Sequence, residues 1–502
     1  MTKGYWTRII IVVFIVASLG FSASTLFHQS LRLDESQSLW VSTKSVWAII
    51  QYLSLDVHVP LYELILHFWL QIFGVSIIAA RSLSFLFFIA SLPMLYLVAK
   101  KASNTSIALL TITLYSLSPF ILWYSFEARM YTMFTLITIV SHYYFLKLIR
   151  TNGQKGQVGY FFATLFGLYT HYFFVLLIIS QCIFLAVYHR QRYMEQKKSV
   201  LLAQYPYILK KGIIAFIPPL LLSILLFLPW AIYFILQGAA GNTQPEIPPS
   251  TVYDLFQAVV NFLFGFSPLT IQSMLVALWP LCIIPIFFLF SKRSAPTKIH
   301  NMLYFVSVTI LPVVICFLVS YYKPIFLARY LIFITPSFFF LLSWMLFQTS
   351  KQLSTLVISI FAFIMFSFVV IQNISNSTPV KENYEGVVRY LNTHVTPSDI
   401  VAISTPFTIY PIEYYYTGSA TIVTIPLWDV YKSGSIPPYT TAKLATQMKS
   451  YASVYQDIYV VLSYDQGYEA SIKKYLDTHY QRKLLKEFSP GLELREYKLR
   501  YE

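Results

Sequence analysis

What most constrains this chain is the recurrence of uninterrupted apolar runs of about 17 to 25 residues, the length that crosses a hydrocarbon core of about 30 Å. About eleven occur, near residues 9–27, 79–99, 105–122, 130–149, 158–170, 172–189, 212–236, 271–290, 302–320, 330–349 and 352–372, the fifth being shorter than the rest. Within a bilayer a lone segment satisfies its peptide groups only as a helix, so the pattern predicts a polytopic α-helical membrane protein. Composition agrees: 57% of residues are hydrophobic and 11% charged, against roughly 25% charged in soluble proteins. The first run follows Lys3 and Arg8. Its apolar part is longer than a signal-peptide core and no small-residue cleavage site follows, so it reads as a retained anchor.

Short cytoplasmic loops carry the excess of Lys and Arg. With the N-terminus inside, the cytoplasmic segments hold Lys3, Arg8, Lys100, Lys101, Lys147, Arg150, Lys210, Lys211, Lys298 and Lys351, whereas the outer segments hold only Arg32, Lys44, Arg81, Arg129, Lys323 and Arg329. The acids reverse this, with Asp34, Glu35, Asp56, Glu63, Glu127 and Asp254 outside. The net charge of +15 is therefore mostly a topology signal, and it gives no reason to invoke nucleic acid. The expected location is the plasma membrane, with the C-terminus on the outer side.

Near residue 376 the apolar runs give way to mixed sequence, dividing the chain into a membrane domain, 1–375, and an outer domain, 376–502. Lys plus Arg and Asp plus Glu balance there at thirteen each. "YEGVVRYLNTHV" has a helical period, and "DIVAIS", "TIVTIP" and "DIYVVLSY" alternate as strands, which predicts a small α/β domain. Cys182, Cys282 and Cys316 all fall within apolar runs without CxxC spacing, so they read as small hydrophobes.

The charges on the outer side are unusual. "LRLDESQSLW" places Asp34 and Glu35 directly after the first run, and the first outer loop adds Asp56 and His58. In "HVPLYELILHFWLQIFG" the residues Leu61, Leu64, Ile65, Phe68, Trp69 and Ile72 form one helical face, and Glu63, His67 and Gln71 a polar stripe. This helix and a shorter one in "STKSVWAIIQYLSL" are expected to lie along the membrane interface, holding the acids where a lipid headgroup sits. "SPFILWYSFEARMYTMF" puts Glu127, Arg129 and Tyr131 where the third span ends and the fourth begins, at a helix end that favours anions. "SYYKPIFLARYLIF" sets Lys323 and Arg329 at the outer mouth of two later spans. Cations kept so close to a bilayer need a partner, either the outer acids or an anionic ligand, or else they snorkel to lipid phosphate. Taken alone, Asp34 and Glu35 read equally well as solvated loop acids.

"LDES", "DVHVPLYELILHFW", "SPFILWYSFEARMYTMF", "YTHYFFVLLIISQ" and "ARYLIFITPSFFFLL", in this order and spacing, resemble the membrane glycosyltransferases of family 39, which include protein O-mannosyltransferases and the aminoarabinose transferases of lipid A. The resemblance covers about residues 5–350 and does not extend to the outer domain. "HVPLY" departs from many relatives, which have two prolines there.

The resemblance implies the GT-C fold and transfer of a sugar from a polyprenyl-phosphate donor to an acceptor hydroxyl, with inversion, at the outer leaflet. Such chemistry requires one carboxylate to take the acceptor proton and cations to hold the departing phosphate. By resemblance Asp34 is the base, Arg129 and Arg329 hold the phosphate, and Lys323 and Tyr131 assist. Glu35 orients the loop, a metal or the acceptor; Glu127 is a second acid at the sugar or a partner for Arg129. Asp56, His58 and His171 are further candidates for sugar or phosphate binding. The resemblance leaves a divalent metal ion open, along with the identity of the sugar and whether the acceptor is a protein, lipid or glycan. A multi-pass transporter is the alternative, though transporter sites usually sit at the midplane of paired repeats. A non-catalytic scaffold is another, but it gives Asp34, Arg129 and Arg329 no role.

Overall fold

The computed structural model describes residues 13, 15–24, 29–150, 156–197, 205–236, 249–277, 296–347, 351–375, 378–429 and 436–499. Among these, six helical stretches are long and apolar enough to cross a membrane: Ile77–Ala102, Tyr131–Ile149, Ala215–Leu236, His300–Val319, Ala328–Leu346 and Leu356–Ile374. The expected spans 9–27 and 271–290 extend beyond the described residues, and Cys282 lies outside them.

The segment expected to form the first outer loop holds three helices, α1 (Leu33–Ser42), α2 (Val46–Ser54) and α3 (Leu61–Phe73). Ser45 starts α2 by accepting from the N–H of Ala48. The first long span, α4 (Ile77–Ala102), is capped by Ser76 and ends on Lys100 and Lys101, which suit the negative end of the helix. The run 105–122 is not one straight span. It divides into α5 (Thr105–Leu117) and α6 (Pro119–Ser125), bent by 66°. Pro119 has no N–H to continue the ladder and pushes Ser118 into an extended conformation, from which Ser118 caps the next helix. The bend turns the chain into the loop carrying Glu127 and Arg129, ahead of α7 (Tyr131–Arg150).

The faces of α3 differ in burial. Its buried residues are Tyr62, Glu63, Leu66, His67 and Leu70, while Phe68 and Ile72 are exposed. Glu63 and His67 of the polar stripe face the protein, and Gln71 is exposed: His67 Nδ1 meets the carbonyl of Ser42 at 2.9 Å, and Ser42 Oγ donates to the carbonyl of Glu63 at 3.1 Å. For a helix beside lipid this is the favourable arrangement, because ionisable groups are costly toward hydrocarbon and apolar groups are not.

The C-terminal part is an α/β unit around a five-stranded sheet in the order β2-β1-β3-β5-β4. The strands β1 (Ile400–Ser404), β2 (Thr421–Thr424) and β3 (Asp457–Ser463) are parallel, and β4 (Gln481–Ser489) and β5 (Leu492–Lys498) add an antiparallel hairpin. Pro490 and Gly491 make the hairpin turn, with Gly491 at a φ of 75° that side chains resist. Alternation sends Val401, Ile403 and Val461 to one face, against the helices Tyr384–His394 and Ile409–Tyr415. Ile400, Ala402 and Val460 go to the other, against Thr441–Ala452 and Glu469–His479. Covering both faces is what a parallel sheet needs. The first face continues onto the outer loop, where the ring of Tyr410 lies 5.2 Å from that of Trp40 and its hydroxyl bonds that of Tyr52.

Candidate active site

Asp34 and Glu35 are adjacent in the first turn of α1, so their side chains leave the helix about 100° apart. Each meets a different arginine. The Glu35 carboxylate is fully buried. It receives Arg81 Nε at 2.8 Å and a second Arg81 nitrogen at 2.7 Å, plus the backbone N–H groups of Ala128 at 3.0 Å and Arg32 at 3.1 Å. Burial alone would raise its pKa, but Arg81, Arg32 and the N–H of Ala128 together outweigh burial and lower it. Every oxygen is committed, so Glu35 ties α1 to α4 and to the loop after α6.

Asp34 instead opens into a cavity of about 140 Å³ between the membrane part and the α/β unit. Its Oδ2 accepts from Arg329 at 3.0 Å, and both side chains remain about one-third exposed, 30% and 34%. Burial opposes ionisation of Asp34, yet Arg329, Arg129 and Arg32 together outweigh it and hold the carboxyl at about 2. Arg329 comes from the short 3-10 helix Ala328–Ile334 that leads into the span ending at Leu346.

Arg129 reaches the same cavity from the loop before α7. It donates to Ser38 Oγ at 3.0 Å, to the carbonyl of Asp34 at 3.3 Å and to His58 Nε2 at 2.6 Å. A guanidinium can only donate, so His58 Nε2 accepts and the ring proton sits on Nδ1, directed at Asp56 Oδ2 3.0 Å away. Asp56 also receives Gln37 at 2.8 Å and the N–H of Val57 at 2.7 Å. Against the push of burial, His58 and Arg129 keep its carboxyl below the ordinary range. The chain Asp56–His58–Arg129 thus fixes the guanidinium from behind.

Glu127 is buried and pairs with Arg32, whose guanidinium also lies 4.5 Å above the ring of Trp123. Burial pushes the Glu127 carboxyl up to about 7; Arg32 opposes this, and Asp34 and Glu35 add to it. Tyr131 is buried at the cavity wall. Two other candidates do not line the cavity. Lys323 is exposed in the turn before the 3-10 helix. His171 is buried, its ring stacked on Phe134 at 4.8 Å and near Tyr330 at 5.7 Å. Burial first, and after it the nearby charge of Arg129, lower it to about 3.

Among the described residues no group of three His, Cys, Asp or Glu side chains is placed to hold a metal ion. The donor inventory instead suits an anion. Arg32, Arg129 and Arg329 all line the cavity, and the Nε of each is buried without a hydrogen-bond partner. The α/β unit completes the enclosure with Glu382, Phe407, Tyr410, Trp428 and Tyr464. Sequence reasoning found none of these five, nor the place of Gln37 and Tyr52 on the wall. Arg32 and Arg81 carried a signal, since both are outer cations beside a span, but nothing in the sequence indicated which acid each would meet.

Residues 57–233 match the family model described as dolichyl-phosphate-mannose-protein mannosyltransferase. No curated protein matches the chain. Two solved structures of ArnT from Cupriavidus metallidurans, one in the apo state and one bound to undecaprenyl phosphate, each superpose with a TM-score of 0.60 at 11% identity, covering 99% of this chain and 98% of theirs. Over residues 57–233 the chain is thus similar to that mannosyltransferase family, and its overall fold is similar to that of ArnT.

Proposed function

We propose that this protein moves a sugar from a polyprenyl-phosphate donor to an acceptor hydroxyl of a protein, lipid or glycan, with inversion, on the outer side of the plasma membrane. In this orientation the N-terminus is cytoplasmic and the α/β unit outside. The observation that carries the reading is a carboxylate, Asp34, open to a cavity and flanked by Arg329 and Arg129. The undecaprenyl phosphate bound to the similarly folded ArnT supports a lipid phosphate as the anion.

In this reading the acceptor O–H gives its proton to Asp34 and the acceptor oxygen attacks the anomeric carbon. The bond from that carbon to the phosphate oxygen breaks, and its electron pair leaves with the phosphate, which Arg329 and Arg129 receive. Phosphate needs no general acid to depart. A carboxylate at about 2 is a weak base, and the geometry supplies a remedy. A donor phosphate engages Arg329, removes the counter-ion of Asp34, and so raises its basicity when the acceptor is present. Glu35 and Glu127 have supporting roles, the first through Arg81 and the second through Arg32.

The test is transfer of labelled sugar by purified Asp34→Asn with donor binding measured on the same preparation. Turnover should fall by about 10² to 10⁴-fold with donor binding retained, because the amide keeps the shape and loses the base. Near-normal turnover would withdraw the assignment. Mass spectrometry of lipid-linked sugars in cells with and without the protein identifies the donor.

A further inference from the structure

The segment leading into Asp34 is gripped by the α/β unit at three points. Ser30 Oγ donates to the carbonyl of Glu382 at 2.9 Å, the N–H of Leu31 donates to Tyr415 OH at 2.8 Å, and the N–H of Leu33 donates to Glu382 Oε2 at 3.1 Å. Leu33 is the first residue of α1, so its N–H has no partner inside the helix. The other oxygen of Glu382 accepts from Tyr464 OH. Glu382 is buried, 8% exposed, and both side chains line the cavity that Asp34 faces. Tyr464 has a φ of 54° and is the only non-glycine residue with positive φ among the described residues. A bulky residue held there carries backbone strain, which recurs at functional sites.

These contacts fix the first turn of α1 from two sides. Glu35 is locked to Arg81 beneath it, and Leu33 is locked to Glu382 above. Asp34 lies between them, and its own pair with Arg329 is about one-third exposed, too screened to hold the side chain alone. We infer that Glu382, fixed by Tyr464, is a positioning residue for Asp34, setting through the Leu33 amide where the catalytic carboxylate stands. The inference rests on the transfer chemistry proposed above, and it gives the α/β unit a part in the reaction. Glu382 acts through the backbone of α1 and not on the substrate.

The experiment compares Glu382→Ala, Glu382→Gln and Tyr464→Phe in the full-length protein, by transfer kinetics and by hydrogen exchange of the segment 30–36. Misplacement by about 1 Å costs on the order of 10²-fold. Glu382→Ala should therefore lower kcat by about 10- to 100-fold, with KM for the donor within about twofold. Glu382→Gln keeps an oxygen for Leu33 and can donate to Tyr464, so it should recover to within about threefold. Tyr464→Phe should fall between the two. Exchange of the segment should quicken in Glu382→Ala and not in Glu382→Gln. In an Asp34→Asn background Glu382→Ala should add nothing to the loss.

Unchanged kcat or unchanged exchange in Glu382→Ala overturns the inference. So does a Glu382→Gln variant as inactive as the alanine, which would mean that the charge itself is used. If Asp34→Asn retains turnover, the base assignment alone falls, and the exchange measurement still decides whether Glu382 holds the segment.

Discussion

The two acids of "LRLDES" should give opposite phenotypes, and Glu35→Gln is the sharper test. The structure makes this substitution the more damaging of the two to folding. The Glu35 carboxylate takes two bonds from Arg81, at 2.8 and 2.7 Å, and is fully buried. An amide places an NH2 against a guanidinium that can only donate, and Arg81, itself 1% exposed, loses the carboxylate charge of Glu35. Breaking a buried pair in this way costs about 3–5 kcal/mol, a large part of a total stability of about 5–15 kcal/mol. Asp34→Asn loses one pair that is about one-third exposed, a cost of about 0–1 kcal/mol. Thermal unfolding in detergent should therefore show Glu35→Gln melting well below wild type with a low yield of monodisperse protein, while Asp34→Asn melts like wild type. Turnover per folded molecule should separate them in the other direction, nearly kept in Glu35→Gln and lost in Asp34→Asn. A Glu35→Gln protein that melts normally yet has lost turnover would refute this reasoning and move Glu35 into the chemistry.

Replacing Arg329 by Ala removes a charged donor worth about 1.5–3 kcal/mol, so kcat/KM for the donor should fall by about 10- to 100-fold, and Lys should rescue only in part because it lacks the fork; unchanged kinetics at limiting donor would reject the phosphate role. Glu127 has a folded-state pKa of about 7, raised from 4.5, so the folded state binds more protons than the unfolded state between those values, and the contribution of this group to stability should decline as pH rises from 4.5 to 7. Unfolding across that range should show a decline that Glu127→Gln flattens, and an equal slope in both proteins would discard it. In a background lacking Cys182, Cys282 and Cys316, single cysteines at the exposed positions Thr43 and Ser450 should react with an impermeant thiol reagent from outside, and one at Ser106 only after permeabilisation. The reverse pattern would invert the topology.

Helices and strands were legible in the sequence where their signal is local. The apolar runs mark the long helices because each satisfies its own backbone in a bilayer, and "DIVAIS" and "DIYVVLSY" mark β1 and β3 because alternation sorts residues between two covered faces. Arg129 and Arg329 stood out because a cation beside a span is costly without a partner, whereas Asp34 was singled out only by the family resemblance. The pairing of those charges was not legible. Asp34 meets a residue 295 positions away and Glu35 one 46 positions away, although the two acids are neighbours with the same chemistry. What separates them is the turn of α1, which points one carboxylate into the cavity and the other into the core. The helical period of α3 was legible, but which of its residues are buried depended on the neighbours against which Glu63 and His67 pack. Glu382 and Tyr464 gave no local signal, since an acid and a tyrosine in mixed sequence are ordinary. Only the docking of the α/β unit onto α1 brings them to the cavity, where Glu382 is buried and accepts a hydrogen bond from Tyr464.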